Sequence, residues 1–238
     1  MENVNKKYTY EDFLEIIKVL RSENGCPWDK VQTHESLKPC MMEEAAELLA
    51  SIRIYDQTGN AENMREELGD VLLQVVMHAQ IASEEGLFTM ADVVDEVSRK
   101  MVRRHPHVFG TGSADTPEEV LTNWEEIKKE EKKDKEWVST PLKDIPQELP
   151  ALTRATKVLK KTDKYYAKGN TYEQDIEALQ KAVDALKKCK TEVYSKELEQ
   201  IVADMLMSLS DISRLYKLSP EQILSDRIED LIEKYEKT

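Results

Sequence analysis

Glycine and proline are scarce in this chain of 238 residues, at 7 and 8, while glutamate, lysine, leucine and alanine recur throughout. That shortage restricts the fold more than any other feature. The common residues lose little on entering a helix, and few positions exist to stop one. No stretch alternates polar and apolar residues between hairpin turns, so strands are not expected. The chain reads as all-α, a helical bundle. Helices are expected at Tyr10–Arg21 with Thr9 as cap, and at about Ser36–Tyr55, Ala61–Glu85 and Met90–Arg104. Another runs from Pro117 to about Glu136, with Thr116 as cap and proline at the first position. "ENGCPWDKVQT" and "HPHVFGTGSADTPEE" read as loops.

Pro141, Pro146 and Pro150 fall close together. They mark a junction between a first domain over residues 1–140 and a second over 156–238, with 141–155 as a Pro-containing linker. Beyond it, helices are expected at about Thr171–Lys190, Lys196–Tyr216 and Ser219–Lys237. The net charge is −13, from 34 basic and 47 acidic residues. Such a surface repels nucleic acid polymers and anionic membranes. An anionic ligand therefore needs a local basic patch or a metal. Cys26, Cys40 and Cys189 are odd in number and form no Cys-x-x-Cys pair, which points to a reducing compartment. "MENVNKKYTY" has no apolar leader, and no apolar run is long enough to cross a bilayer. A soluble cytoplasmic protein is expected.

Two segments set carboxylates against residues that favour burial: "MMEEAAELLA" from Met41 and "REELGDVLLQVVMHAQIA" from Arg65. At about 100° per residue, Leu37, Met41, Ala45, Leu48, Leu49 and Ile52 make one stripe, with Glu44 and Glu47 at its edge and Glu43 further round. On the next helix Leu68, Val71, Leu72, Val75 and Ala79 make the stripe, with Glu67, Asp70 and Gln74 beside it. A short turn makes the helices antiparallel neighbours, so the carboxylate pairs can face each other. Desolvated carboxylates need a counter-charge. Either cluster alone reads equally well as a solvated face; both together, on adjacent helices, favour a cation site. Oxygen-only ligation selects a hard ion, Mg²⁺ or Mn²⁺. A di-iron bundle would need Glu-x-x-His on two helices, which is missing.

Lys100, Arg103 and Arg104 recur at helical spacing, either as phosphate ligands or as a solvated basic helix end favoured by its dipole. Trp124 and Lys128 share a face at i, i+4. They suit stacking of a base beside a phosphate contact, or equally a core indole beside a surface lysine. Trp28 and Asp29 either order their loop over the site or are structural. His105 and His107 flank Pro106 as a weak His-x-His pair.

"EEAAE", about twenty residues, then "ELGD" resembles the MazG-type nucleoside triphosphate pyrophosphohydrolases. "ENGCPWDKVQT", "KMVRRHPHVFG", "NWEEIKKEE" and "DIPQELPAL" look like MazG segments in MazG order. The resemblance implies metal ligation by Glu44, Glu47, Glu67 and Asp70, with Glu43 and Glu66 close by and Glu43 a candidate base. It implies Mg²⁺-dependent cleavage of a nucleoside triphosphate between its α- and β-phosphates, giving the monophosphate and pyrophosphate. It strengthens the phosphate-binding reading of Lys100, Arg103 and Arg104 and the substrate reading of Trp124 and Lys128. It also implies a homodimer, similar in design to dimeric dUTPases. MazG proteins often hold two copies of the fold. "ELEQIVADMLMSLSDISR" faintly echoes the Asp70 helix, with Asp204 at the Asp70 position and Ile201 at that of Glu67. Lys181, Ala182 and Ala185 stand for Glu43, Glu44 and Glu47. The second copy is therefore expected to be degenerate. The competing reading is a non-catalytic helical interaction protein that keeps the fold.

Overall fold

The computed structural model describes residues 6–131, 140–189 and 194–236. Every regular element among them is helical. The chain divides into two compact units, residues 1–128 and 129–238.

In the first unit α1 spans Tyr10–Arg21, α2 Lys38–Thr58, α3 Glu62–Glu84, α4 Met90–Arg104 and α5 Pro106–Phe109. Helix α6, Pro117–Glu131, holds the division point; the expected continuation to Glu136 lies outside the described residues. α1 and α4 start at the residues the sequence marks, because each carries a complete capping box. Thr9 and Asp12, then Thr89 and Asp92, exchange side-chain and backbone hydrogen bonds and satisfy otherwise orphaned N–H groups. α2 runs three residues past the expected end, to a left-handed Gly59 at φ 72°. The segment expected as loop after Arg104 contains α5, whose Pro106 supplies a pre-set helical φ.

Helix α3 is the centre of this unit and packs on α2, α1 and α4. Ile17, Leu37, Val76, Met77 and Ile81 form its core. The expected apolar stripes are only partly inward. Leu68 is 52% exposed and Leu49 68%, and Leu72 and Ile52 are also exposed, while Glu67 and Gln74 are buried. The N-terminal half of α3 thus turns its polar side inward and part of its leucine side outward. The loop before α2 is pinned from below. Arg21 donates from Nη1 to the carbonyls of Asp29 (2.6 Å) and Gln32 (3.2 Å), and its Nη2 meets Glu84 at 2.8 Å.

The second unit contains α7 (Ala151–Tyr166), α8 (Tyr172–Lys188), α9 (Lys196–Leu215) and α10 (Pro220–Glu236). The sequence predicts no helix at α7, because three nearby prolines mark a junction there. Residues 140–150 pack within this unit: Ile145 is buried, and Lys161 Nζ donates to Pro141 O at 2.7 Å and to Asp144 at 2.9 Å. α9 packs on α8, α7 and α10. That repeats the pattern of α3 with α2, α1 and α4.

Two aspartates, Asp175 and Asp211, are each 1% exposed in this unit. Asp175 accepts from Asn170 Nδ2 at 2.8 Å, and Asp211 pairs with Arg214. Burial holds the Asp175 pKa above the ordinary range, and the Asp211 charge adds to the effect; the Asn170 bond opposes it. Because the folded value exceeds the unfolded one, the folded unit binds this proton more tightly. The contribution is full below the unfolded value and is lost as pH rises through the folded value. Asp175→Asn keeps the Asn170 contact without the charge. It should raise the thermal midpoint at pH 8 by about 4 °C and flatten the midpoint's dependence on pH above 4, as read by calorimetry.

Candidate functional site

The three-residue turn between α2 and α3, Gly59 to Ala61, brings two carboxylate faces together. One oxygen each from Glu44, Glu67 and Asp70 lies within 4.8 Å of the others. Glu67 is only 9% exposed. Its Oε1 accepts from Asn63 Nδ2 at 2.8 Å, and its Oε2 is buried without a partner. Asn63 sits one turn before Glu67 and is not among the expected site residues; the i, i+4 spacing is its only signal in the sequence.

The electrostatics join Glu43 and Glu47 to the same group. Burial, then the charges of Asp70, Glu47, Glu67 and Glu43, push the Glu44 carboxyl up from its ordinary range. Glu47 is exposed, and its pKa is raised chiefly by the Glu67 charge, with burial and Glu43 adding to it. Glu43 and Glu66 are exposed. Like charges at this spacing oppose ionisation unless a cation enters. The donor set is oxygen only, and within it Glu67 Oε2 is buried without a partner. Both features fit a hard divalent ion.

The basic and aromatic candidates form a second group, at the C-terminal end of α4 and on α6. Lys100 and Arg104 are half-buried; Arg103 and Lys128 are exposed. The Arg104 guanidinium carbon lies 5.9 Å from the Trp124 ring centroid, and the His105 ring packs on the same indole at 5.9 Å, tilted 47°. His105 Nδ1 donates to Met101 O at 2.6 Å, which leaves its Nε2 as the other face of the ring. His107 stacks obliquely on His105 at 5.7 Å. His105 therefore packs with Trp124 and His107 with His105, and among the described residues the two histidines belong to no group of three or more metal-type ligands. Trp28 is 57% exposed, and Asp29 opens a single 3₁₀ turn, Asp29–Val31.

At the far end of α3, His78 Nδ1 lies 2.8 Å from His34 Nδ1, with the rings parallel within 3°. One ring must donate and the other accept. Burial, and then the neighbouring His34, lower the His78 pKa.

In the second unit, the positions aligned with Glu44 and Glu67 hold Ala182 and Ile201, which are 8% and 7% exposed. Asp204, aligned with Asp70, is exposed and accepts from Gln200 Nε2 at 2.7 Å. Apolar packing thus occupies the place of the acidic pair. No helix among the described residues is long and apolar enough to cross a membrane.

Residues 32–109, which include α2, α3 and α4, match the MazG nucleotide pyrophosphohydrolase domain. The chain is 39% identical over 228 residues to the nucleoside triphosphate pyrophosphohydrolase/pyrophosphatase MazG of Thermotoga maritima, covering 96% of this chain and 84% of that protein. It is 40% identical over 210 residues to the nucleoside triphosphate pyrophosphohydrolase of Escherichia coli, covering 84% and 76%. It is 44% identical over 219 residues to YabN of Bacillus subtilis, an uncharacterized protein, and spans 92% of this chain but only 44% of that one. With the acidic pairs on facing helices and identity that extends across both units, the chain belongs to the MazG nucleotide pyrophosphohydrolase family.

Proposed function

We propose that the first unit hydrolyses nucleoside triphosphates to the monophosphate and pyrophosphate in a Mg²⁺-dependent reaction. The observation that carries this reading is the convergence of Glu44, Glu67 and Asp70 with a buried, unpartnered Glu67 oxygen. Glu44, Glu47, Glu67 and Asp70 are the ligands, for Mg²⁺ or Mn²⁺. When bound, the ion neutralises phosphate charge, polarises the α-phosphoryl group and acidifies a water. Asn63 fixes the Glu67 carboxylate by its hydrogen bond to Oε1. Glu43 is the candidate base for the attacking water. Lys100, Arg103 and Arg104 hold phosphate oxygens, and Trp124 with Lys128 holds the nucleoside side of the substrate.

The second unit is a degenerate copy without turnover. The repeated helix pairing, the buried Ala182 and Ile201 and the exposed Asp204 support that reading. The reading includes a homodimer, supported by Leu49, Leu68 and Leu72, which lie on the site-bearing helices and are exposed.

The test is pyrophosphate release from a panel of ribo- and deoxynucleoside triphosphates, with Mg²⁺ and with excess chelator. Release that needs the ion supports the reading; no release from any nucleotide with Mg²⁺ rejects it. Trp124→Ala should raise KM with little change in kcat. A contact made equally in ground state and transition state affects binding only. Stacking contributes about 1–3 kcal/mol, so KM should rise about fivefold or more. Steady-state kinetics on the folded variant check this, and an unchanged KM would make Trp124 a packing residue.

A further inference from the structure

In the second unit a pair of carboxyls occupies a place that is apolar in the first. In the register that sets Asp204 at Asp70 and Lys181 at Glu43, Asp211 falls at Met77 and Asp175 at Leu37. Met77 and Leu37 are core residues, 3% and 1% exposed. Asp211 and Asp175 are each 1% exposed, so the positions are equally buried and differ in chemistry. The pair joins two helix ends. Asp175 lies in the first turn of α8, and Asp211 lies near the end of α9. Tyr172 and Tyr216 meet edge to face across the same two ends, with ring centroids 5.8 Å apart.

The hydrogen bonds of the pair leave a remainder. Asp175 Oδ1 accepts from Asn170 Nδ2 at 2.8 Å, and Asp211 Oδ1 accepts from Arg214 Nε. Asp175 Oδ2 and Asp211 Oδ2 are both buried without a donor. The charges do not balance either. Asp163 from α7 and Arg214 from α9 are the charged groups that face the pair, and Arg214 also donates from Nη1 to Asp163 at 3.3 Å. One guanidinium thus serves three carboxyls. Two buried carboxylates in contact repel when both are ionised, and each is left with an unpaired acceptor. The Asp175 and Asp211 side chains lie within hydrogen-bonding reach of each other. A single proton between them meets both deficits, since it removes one charge and makes one orphaned oxygen the donor to the other.

We propose that Asp175 and Asp211 share one proton, with the Asp175 carboxyl donating to the Asp211 carboxylate, and that this proton is a catch fastening the start of α8 to the end of α9. Asp211 keeps the charge because Arg214 is bonded to it. Loss of the proton to solvent as pH rises leaves two like charges in contact, so the two ends part locally before the unit unfolds. The catch belongs to the second unit and is independent of how the carboxylate group of the first unit acts.

Infrared spectroscopy of the full chain at about pH 5, where an ordinary aspartate is ionised, reads the proton directly. With isotopically labelled aspartate, wild type should show the carbonyl stretch of a protonated carboxyl, in a band that Asp175→Asn lacks. Asp211→Asn should lack the band too, because its amide donates to Asp175 and no like charge then opposes ionisation beside Arg214. Hydrogen exchange at about pH 8 tests the catch. Amides of residues 170–176 and 211–216 should exchange about tenfold faster in wild type than in Asp175→Asn, whose amide keeps a donor toward Asp211 at every pH. Amides in the middle of α9 should exchange alike in the two proteins. A wild type without the band, or a folded Asp211→Asn that keeps it, overturns the shared proton; the second result assigns the proton to burial alone. Equal exchange at the two helix ends in wild type and Asp175→Asn overturns the catch.

Discussion

Asp70→Asn and Glu67→Gln should each lower pyrophosphate release by about a thousandfold, with the melting midpoint in chelator unchanged or raised. A divalent ion at a phosphoryl centre supplies several kcal/mol of charge stabilisation, and each 1.36 kcal/mol is a factor of about ten in rate. The expected rise in metal-free stability comes from the same crowding. Burial and then the neighbouring negative charges raise the Glu44 pKa, and the Glu67 charge leads the rise at Glu47, so removing one charge relieves the rest. Pyrophosphate release at saturating Mg²⁺ and calorimetry in chelator read the two effects. Turnover near the wild-type rate in either variant would mean that these carboxylates hold no catalytic ion. A sharp fall in stability in both would mean that they serve the fold.

The paired substitution Leu68→Glu with Leu72→Glu should convert the proposed dimer to a monomer, halving the mass measured by light scattering. Both leucines are exposed within one chain, at 52% and 38%, and lie one turn apart on α3. In a twofold interface the two substituted positions recur on both subunits, so the change buries four added charges and loses apolar burial. Because α3 also carries Glu67 and Asp70, activity should fall with the mass. An unchanged mass would show that this face is open to solvent in the working protein.

The helices were legible where their signals are local. α1 and α4 begin and end where the sequence puts them, since Thr9–Asp12 and Thr89–Asp92 are complete capping boxes within four residues. α7 was not legible, because Pro150 ends one feature and starts another: the residue that suggests a junction is also the cap of a helix. The facing of α2 and α3 was half legible. Spacing and a short turn are enough to bring Glu44, Glu67 and Asp70 together. Periodicity shows that a helix has two unlike faces without saying which is inward, and the usual assumption puts leucine inside. Here Glu67 and Gln74 are inside and Leu68 is outside. The buried pair Asp175 and Asp211 left no trace at all. They sit on α8 and α9, far apart in the chain, and nothing in either neighbourhood marks a charge for burial.

The pinning of the first loop has a consequence for the order of assembly. Arg21 lies 63 residues from its partner Glu84, and Ile17, 1% exposed in the fold, packs with Val76 and Ile81. α1 therefore leaves the ribosome well before the surface that receives it. At about 5–20 residues per second, several seconds separate the synthesis of α1 from completion of α3. During that interval α2 has no neighbour to pair with, and Ile17 and Leu37 are open to chaperones. The first unit can close only when its central helix is whole, so the end of α3, and not the start of the chain, times its folding.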